Sequence, residues 1–266
     1  MLKKKSLGQH FLTSAHYLSL IAESAHLETG EQVLEIGPGE GALTRELLAR
    51  EAIVTAIEKD HRLIPILKET FAKEIADKKL TLTEGDILKY DISYFLPAAC
   101  SYKLVANIPY YITGAIVEKF LSAELQPSTM VLLVQKEVAE RIAGNPSTPL
   151  RAGKESILSL SVKAYGNPRY IKTVPAGAFS PPPAVDSAIL AIENISRNNF
   201  ANAAHEKTFF ELLHAGFAHK RKLLKRNLEN MLVGKHTNIL QDAGIAEKAR
   251  AEDINLEKWL EISRLY

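Results

Sequence analysis

The sequence predicts an α/β protein in which a mostly parallel sheet is followed by a small all-helical domain. Between positions 32 and 135, short apolar runs alternate with amphipathic stretches, as in strands joined by crossover helices. Around 194–203 the chain turns polar and loses its apolar periodicity, and no strand pattern follows. A length of 266 residues fits two such units. We therefore predict one domain over 1–195 and another over 196–266.

Short apolar runs bounded by polar or turn residues predict the strands of the sheet. The last two runs flank Phe179 and the three prolines that follow shortly after it. We expect these two runs to form a hairpin that closes the sheet edge. The predicted strands are Gln32–Ile36, Ile53–Glu58, Leu80–Thr83, Lys103–Ala106, Met130–Val134, Tyr170–Val174 and Ser187–Ile192.

Apolar residues at helical spacing predict the remaining elements. The helices of the first domain are Leu43–Arg50, Leu63–Ala76, Thr113–Ser122, one near Val138–Ile142 and a further one after the polar loop 145–153. The helices of the second domain are His205–Leu232, Thr237–Ala243 and Leu256–Leu265.

Composition describes an ordinary globular protein. Hydrophobic residues make up 46% of the chain and charged residues 24%, which is enough to bury a core. The only cysteine, Cys100, excludes an intramolecular disulfide and a thiolate metal cluster, and suits a reducing compartment. The basic start Met1–Lys5 lacks the apolar run of a signal peptide, and no segment is long enough to span a membrane. We expect a cytoplasmic protein without membrane association.

Positive charge is concentrated at two places, although the net charge is only +2. Lys3–Lys5 form one cluster, and the segment His219–Arg226 carries the other. As a helix whose leucines face the domain, this segment would present its cations to nucleic-acid phosphates, and a merely solvated face is the alternative. The cations predicted to contact RNA are Lys220, Arg221, Lys222, Lys225 and Arg226.

A glycine-rich turn and two acids point to a nucleotide-like ligand. Glu35–Gly41 follows the first strand and opens a helix, so glycines such as Gly37 let the backbone approach a ligand closely. Glu58 ends the second strand, where a carboxylate can accept ribose hydroxyls, and Asp86 follows the third, where it can accept an adenine amino group. A tight turn without ligand and solvated acids remain the alternatives. Nicotinamide cofactors use a similar acid, so these residues do not separate dehydrogenases from methyltransferases.

The fourth strand ends in Asn107-Ile108-Pro109-Tyr110, which suits methylation of an adenine amine. That nitrogen is a poor nucleophile because its lone pair is delocalised into the ring, so an enzyme must accept hydrogen bonds from its two protons. The Asn107 side chain can accept one and the carbonyl of Ile108 or Pro109 the other, with the proline restricting the chain before it. Tyr110 can stack on the base, and Phe179 can cover the opposite face. A plain turn at the strand end, and a purely structural Phe179, are the alternatives.

The sequence resembles the KsgA/RsmA family of ribosomal RNA adenine dimethyltransferases over nearly its whole length. The resemblance implies a Rossmann-like class I S-adenosylmethionine-dependent methyltransferase domain, with a mostly parallel seven-stranded sheet, and a small helical RNA-binding domain. It also implies dimethylation of two adjacent adenosines near the 3′ end of small-subunit rRNA, and a role in small-subunit biogenesis. The segments that carry it are Leu7–Leu12, Glu35–Gly41, Glu58–Asp60, Gly85-Asp86, Asn107–Tyr110, Gln135–Arg141 and Phe179–Ser187.

Site residues follow from the resemblance position by position. The implied cofactor is S-adenosylmethionine, and His10 would form an N-terminal lid over it. The implied partner is small-subunit rRNA or an immature small ribosomal subunit, bound by a monomer. The cofactor contacts would be His10, Leu12, Gly37, Glu58, Asp86 and Asn107.

Other functions stay open at this stage. Large-subunit rRNA methylases of the macrolide-resistance type share the Asn-x-Pro-Tyr and Phe-x-Pro elements, whereas Phe217–Leu228 favours the small-subunit enzyme. The stretch Asn145–Ser156 is longer than the family pattern and lacks its usual Tyr-Gly. A dinucleotide-dependent oxidoreductase and a non-catalytic ribosome assembly factor are the remaining alternatives. No metal is expected, since His214 and His219 are not aligned on a helix, and Cys100 has no neighbouring histidine that would make it a nucleophile.

Overall fold

A computed structural model describes residues 10–96, 101–144, 154–232 and 238–266. The predictions for Lys3–Lys5, for Leu7–Gln9, for Cys100 and for the loop 145–153 lie outside the described residues. The chain divides into two compact units, one of 1–140 with 167–195 and one of 141–166 with 196–266. The domain limits 1–195 and 196–266 stay a prediction.

A seven-stranded sheet forms the centre of the first unit and confirms the predicted fold class. Its strands are β2 Gln32–Ile36, β3 Ile53–Glu58, β4 Leu80–Glu84, β5 Tyr102–Asn107, β6 Thr129–Gln135, β7 Asn167–Val174 and β9 Ser187–Glu193. Their spatial order is β4-β3-β2-β5-β6-β9-β7, in which β9 runs antiparallel between β6 and β7 and the other six strands are parallel to one another. All seven predicted strands are present, including the edge hairpin of β7 and β9.

Two very short strands, β1 (Phe11–Leu12) and β8 (Phe179–Ser180), form a separate antiparallel pair that the sequence did not predict. Leu12 stands opposite Phe179 in this pair, and the backbone N–H of Thr13 donates to the carbonyl of Ala178 at 2.9 Å. The pairing ties the beginning of the described chain to the segment that precedes the prolines.

Helices cover the sheet. Most of them follow the prediction, but the helix over Ala15–Ser24 was not predicted and one predicted helix is divided. The predicted helix Leu63–Ala76 is interrupted at Phe71, which is 2% exposed and packs its ring against Gly41. This tertiary contact overrides the helical spacing. The helices are α1 Ala15–Ser24, α2 Ala42–Leu48, α3 Ile64–Thr70, α4 Ala72–Ala76 and α5 Thr113–Ser122, with α6 Lys136–Ala143 leading into the second unit.

The second unit is helical in its described residues. Its helices are α7 Ile157–Tyr165, α8 Ala203–Phe217, α9 Leu224–Leu232, α10 Ile239–Asp242 and α11 Leu256–Leu265. The prediction of one helix over His205–Leu232 is wrong, because α8 and α9 are separated by a turn over 218–223, called the basic turn below. The Asn227 side chain donates to the carbonyls of Gly216 and His219, at 2.5 and 3.1 Å, and so satisfies carbonyls at the end of α8.

Sheet topology positions a ligand site in the first unit. From β2 the chain crosses to β3 on one side, while β5 flanks β2 on the other side. In such sheets ligands bind beyond the carboxyl ends of the strands, at the point where the order reverses. Ile36 of β2 stands in register with Ala106 of β5, so the next residues, Gly37 and Asn107, lie side by side at that point.

Candidate active site

A cavity of about 340 Å³ opens at this carboxyl edge of the sheet. Its size falls within the range of small-molecule sites. All residues predicted for cofactor binding or catalysis line it, so the structure brings together positions that span most of the first unit. They are His10, Leu12, Gly37, Glu58, Asp86, Asn107, Pro109, Tyr110 and Phe179.

The glycine turn forms one wall with backbone atoms. Gly37 and Gly39 have φ angles of 68° and 61°, in the left-handed region that favours glycine. A Cβ on Gly39 would come within 2.8 Å of the Phe11 ring, so no other residue fits there without a shift. The turn therefore presents bare backbone to the cavity, as the sequence predicts.

Glu58 is held from two sides by the backbone. It is 5% exposed; its Oε2 accepts from the N–H of Gly39 at 3.0 Å and its Oε1 from the N–H of Asp60 at 2.7 Å. Burial raises its pKa, and these backbone hydrogen bonds partly oppose that rise. Each oxygen keeps a lone pair for a further donor, so the carboxylate can accept two ligand hydroxyls.

Glu35 is a buried acid whose position the sequence did not single out. Its side chain is 1% exposed, and its Oε2 accepts from the Thr44 hydroxyl at 2.7 Å. Burial raises its pKa to about 8, and the nearby charge of Glu58 adds to the rise. Among the described residues its Oε1 has no hydrogen-bond partner. The signal was available in the sequence, because an acid inside a buried apolar strand needs a proton or a partner.

Asp86 forms a salt bridge with Lys59. In the sequence analysis Lys59 was given no role of its own and appeared only within the segment Glu58–Asp60. The Lys59 Nζ lies 2.9 Å from the Asp86 Oδ2, and the N–H of Leu88 donates to the Oδ1 at 3.1 Å. The hydrogen bond from Lys59 is the main cause that lowers the pKa of Asp86. In turn, the hydrogen bond and charge of Asp86, with a smaller effect of Tyr111, raise the pKa of Lys59. Asp86 is thus a fixed carboxylate at the cavity wall.

Asn107 ends β5 with its side chain half-buried in the cavity wall. No residue in the described part of the chain hydrogen-bonds to its amide, which leaves the amide oxygen available as an acceptor. Ile108 is buried and Pro109 has extended angles of φ −58° and ψ 135°, which carry the chain along the cavity. The predicted acceptors therefore lie at one strand end.

Three rings near this strand end differ in how they are held. Tyr110 is half-buried, and its hydroxyl hydrogen-bonds the Ser187 Oγ at 2.6 Å. His10 lies nearly parallel to Tyr110, with ring centroids 6.4 Å apart, and its Nδ1 is 2.8 Å from the Pro181 carbonyl oxygen. Phe179 is 5% exposed and belongs to the hydrophobic core as well as to the cavity wall. Stacking of Phe179 on a base stays a prediction.

Similarity to known proteins extends along the whole chain. Residues 1–266 match the Ribosomal RNA adenine dimethylase family. The chain belongs to this family. A Ribosomal RNA small subunit methyltransferase A of Dehalococcoides mccartyi (strain CBDB1) is 42% identical over 99% of this chain and 88% of its own. One of Fusobacterium nucleatum is 35% identical over 99% of this chain and 97% of its own.

Solved structures of two methyltransferases share the fold. A 23S rRNA methyltransferase, ErmE, has a TM-score of 0.74 and 27% identity, and the match covers 96% of this chain and 98% of that one. A dimethyladenosine transferase from Plasmodium falciparum has a TM-score of 0.75 and 26% identity, covering 95% and 96%. The adenine dimethylase chain is thus a class I methyltransferase in fold.

The basic segment of this dimethylase differs from its prediction in local structure. Lys220, Arg221 and Lys222 lie in the basic turn, whereas Lys225 and Arg226 lie on α9, and all five are exposed. The leucines do anchor the segment, since Leu224 and Leu228 are 1% and 0% exposed, but Leu223 is 36% exposed. Arg226 forms a salt bridge with Glu229 at 3.4 Å. RNA contact by these five cations stays a prediction.

Two kinds of feature are absent from the described residues. Among them, no group of three or more His, Cys, Asp or Glu side chains could hold a metal ion. None of the described helices has both the length and the apolar character needed to cross a membrane.

Proposed function

We propose that the protein dimethylates the exocyclic amines of two adjacent adenosines near the 3′ end of small-subunit rRNA. It acts in the cytoplasm as a monomer on the immature small ribosomal subunit. The observation that carries the proposal is the available Asn107 amide at the end of β5, inside a cavity that Glu58 and the glycine turn line. Membership of the adenine dimethylase family supports the same reaction.

The hydrogen-bond acceptors that line this cavity fit S-adenosylmethionine. Glu58 has two free lone pairs for ribose hydroxyls, and Asp86 is a fixed acceptor for an adenine amino group. Ile57 and Ile87 supply apolar wall beside these acids. We assign His10, Leu12, Gly37, Glu58, Asp86 and Asn107 to cofactor binding, and when bound the cofactor supplies an electrophilic methyl group.

The remaining residues hold the target amine. The Asn107 side-chain oxygen accepts a hydrogen bond from one amine N–H, and the carbonyl of Ile108 or Pro109 accepts one from the other, so that the nitrogen lone pair is free to attack. The methylated nitrogen is then acidic and releases one proton to solvent. Tyr110, fixed through Ser187, stacks on the adenine, and Phe179 bounds its other side. Hydrogen-bond acceptors suffice here, because the amine needs orientation rather than a strong base.

RNA binding is assigned to the second unit. Lys220, Arg221, Lys222, Lys225 and Arg226 are exposed cations near one another in sequence. Each phosphate that they neutralise releases counterions, which makes binding dependent on salt. We assign these residues to phosphate contacts that bring the rRNA to the enzyme without reading its sequence.

Large-subunit rRNA is the second candidate substrate, because the ErmE structure matches nearly the whole chain. The 42% identity to a small-subunit methyltransferase, against 27% to ErmE, favours the small subunit. An assembly factor without catalysis would not need an available amide at the strand end. An oxidoreductase is not favoured either, since the Asn107–Tyr110 segment suits an amine.

A labelling experiment tests the substrate and the reaction together. The protein is incubated with methyl-labelled S-adenosylmethionine and, separately, undermethylated small subunits, large subunits or naked rRNA. We expect label in dimethyladenosine of immature small subunits only. Label in large subunits would support the second candidate, and absence of label from every substrate would contradict catalysis.

A further inference from the structure

Tyr111 lies at the mouth of the cavity with most of its ring in solvent. It lines the cavity and is 67% exposed, whereas its neighbour Tyr110 is half-buried and held by Ser187. Among the described residues, no hydrogen bond or ring contact engages Tyr111. A large exposed ring at a cavity mouth is a feature that a stacking partner would cover.

The backbone beneath this ring is fixed. Tyr111 sits in the 3-10 turn Tyr110–Ile112, and the N–H of Ile112 donates to the carbonyl of Pro109 at 3.1 Å. The helix α5 continues directly from Thr113, which is buried. A ring on such a support is presented at a constant place, so little backbone freedom is lost when a partner stacks on it.

A cation stands at the same rim. Lys59 also lines the cavity, its side chain is 56% exposed, and Asp86 holds its Nζ at 2.9 Å. An aromatic ring next to a fixed cation is the combination by which proteins bind single-stranded nucleic acid, with the ring under a base and the cation near a phosphate. A peptide or lipid partner would not require that pairing.

We propose that Tyr111 is a stacking platform for the nucleotide next to the adenosine that enters the cavity. The proposal rests on the proposed function and extends it to a specificity-determining residue at the mouth of the cavity. An adenosine that flips into the cavity leaves its neighbour without a stacking partner, and the Tyr111 ring takes that partner's place. With two adjacent target adenosines, the same ring serves the neighbour in each round.

Kinetics of three variants test the platform. Tyr111→Ala should raise the KM for undermethylated small subunits by roughly ten- to a hundred-fold, the usual value of one base–aromatic stack. Tyr111→Phe keeps the ring and should stay within about twofold of the wild type. Tyr94→Ala is the matched control, because Tyr94 is 82% exposed but does not line the cavity, and it should change nothing.

The readouts distinguish a stacking role from the other roles of a rim residue. Affinity for S-adenosylmethionine should be the same in all three variants, since neither Tyr111 nor Tyr94 is among the residues assigned to cofactor binding. Equal KM values for Tyr111→Ala and Tyr94→Ala would overturn the proposal. A Tyr111→Phe variant as defective as Tyr111→Ala would also overturn it, because the KM would then depend on the Tyr111 hydroxyl rather than on the ring.

A binding experiment identifies the stacked base independently of methyl transfer. RNA oligonucleotides spanning the two adjacent adenosines carry one abasic site each, at either adenosine or at either flanking nucleotide, and fluorescence anisotropy gives their affinities. At one position we expect the abasic site to weaken wild-type binding roughly tenfold and Tyr111→Ala binding no further. Additive losses at every position would overturn the platform. A wild type that binds the oligonucleotides but transfers no label to undermethylated small subunits would instead contradict the proposed function.

Discussion

Acids of the first unit and cations of the second unit are held in opposite ways. Glu58 is 5% exposed and accepts hydrogen bonds on both carboxylate oxygens, and Asp86 is fixed by Lys59 and the N–H of Leu88. Lys220 and Arg221 of the basic turn are exposed, and within the described residues neither forms a salt bridge. The acids are preorganised, whereas the cations are free to adjust.

This difference separates two kinds of recognition. Polar groups fixed in a cavity act at short range and depend on geometry, so they suit a small cofactor and a single base. Exposed cations act through the field of many charges, which salt screens, so they suit a polyanion. Changes in the cavity should therefore alter chemistry or cofactor affinity at any salt concentration, and changes in the basic turn should alter RNA affinity most at low salt.

The largest effect is expected for Asn107→Ala. Loss of a preorganised acceptor at the reacting amine should lower kcat by about 10²- to 10³-fold, the usual scale for one such polar group. Affinity for RNA should stay within about twofold. Asn107→Asp, which keeps an acceptor, is the control and should retain more activity. If Asn107→Ala lost kcat and RNA affinity in parallel, the separation of chemistry in the cavity from RNA binding at the basic turn would be wrong.

A second effect concerns the proton on Glu35. Its folded-state pKa of about 8 exceeds the ordinary 4.5, so the folded protein keeps a proton that the unfolded chain releases. The free energy of unfolding should therefore fall as the pH rises between these values. Glu35→Gln, which is neutral throughout, should flatten that fall by about 3 to 4 kcal/mol between pH 5 and pH 8, given about 1.4 kcal/mol per pKa unit.

Denaturant unfolding at pH 5, 6.5 and 8 measures the difference between the wild type and Glu35→Gln. Glu58, whose pKa is also raised by burial, remains in the variant and contributes the same slope to both proteins. A pH dependence that is identical in the two proteins would mean that Glu35 is ionised in the fold. Thr44 would then be its only stabilising contact among the described residues.

Sequence reasoning succeeded where a pattern repeats within one element. The strand ends at Ile36 and Glu58 were predicted from apolar runs that stop at a glycine or a polar residue, and the fourth strand ends at Asn107, one residue beyond its predicted end. Parallel topology brings these three ends together. Site residues at the ends of strands were predictable for the same reason. Their assignment to cofactor or base remains a proposal.

It failed where a distant contact decides the local structure. The pairing of β1 with β8 sets Leu12 opposite Phe179, 167 positions along the chain, in strands too short to show any alternation. The helix break at Phe71 arises because its ring packs on Gly41. The break at the basic turn is stabilised by the Asn227 side chain. Apolar residues keep a helical spacing through both breaks, so the spacing alone predicts continuous helices. The pairing of Lys59 with Asp86 likewise depends on which strands are neighbours.

A third prediction sharpens the preorganised side of the comparison. Glu58→Gln places an amide NH₂ against the N–H of Gly39 or Asp60, and removes the negative charge that would accept ribose hydroxyls. We expect S-adenosylmethionine affinity, measured by calorimetry, to fall about 30-fold, the equivalent of one charge-assisted hydrogen bond of about 2 kcal/mol. Glu84→Gln is the matched control, because Glu84 stands opposite Glu58 in register but is exposed and outside the cavity lining. An equal loss in both variants would assign the effect to net charge.

The smallest effect at physiological salt is expected for substitutions in the basic turn. Their effect on RNA affinity depends on the salt concentration. Replacing Lys220, Arg221 and Lys222 with glutamine should weaken RNA binding about tenfold and lower the slope of log affinity against log salt by about 2 to 3, because each lost phosphate contact removes about 0.7 to 0.9. Replacing Lys207 and Lys258, which pair with Glu211 and Glu261 at 3.8 and 3.0 Å, should leave the slope unchanged. Fluorescence titrations from 50 to about 300 mM salt measure both slopes. If the paired lysines lowered the slope as much per charge as the basic turn does, exposure alone would explain RNA binding, and the turn would have no special part in it.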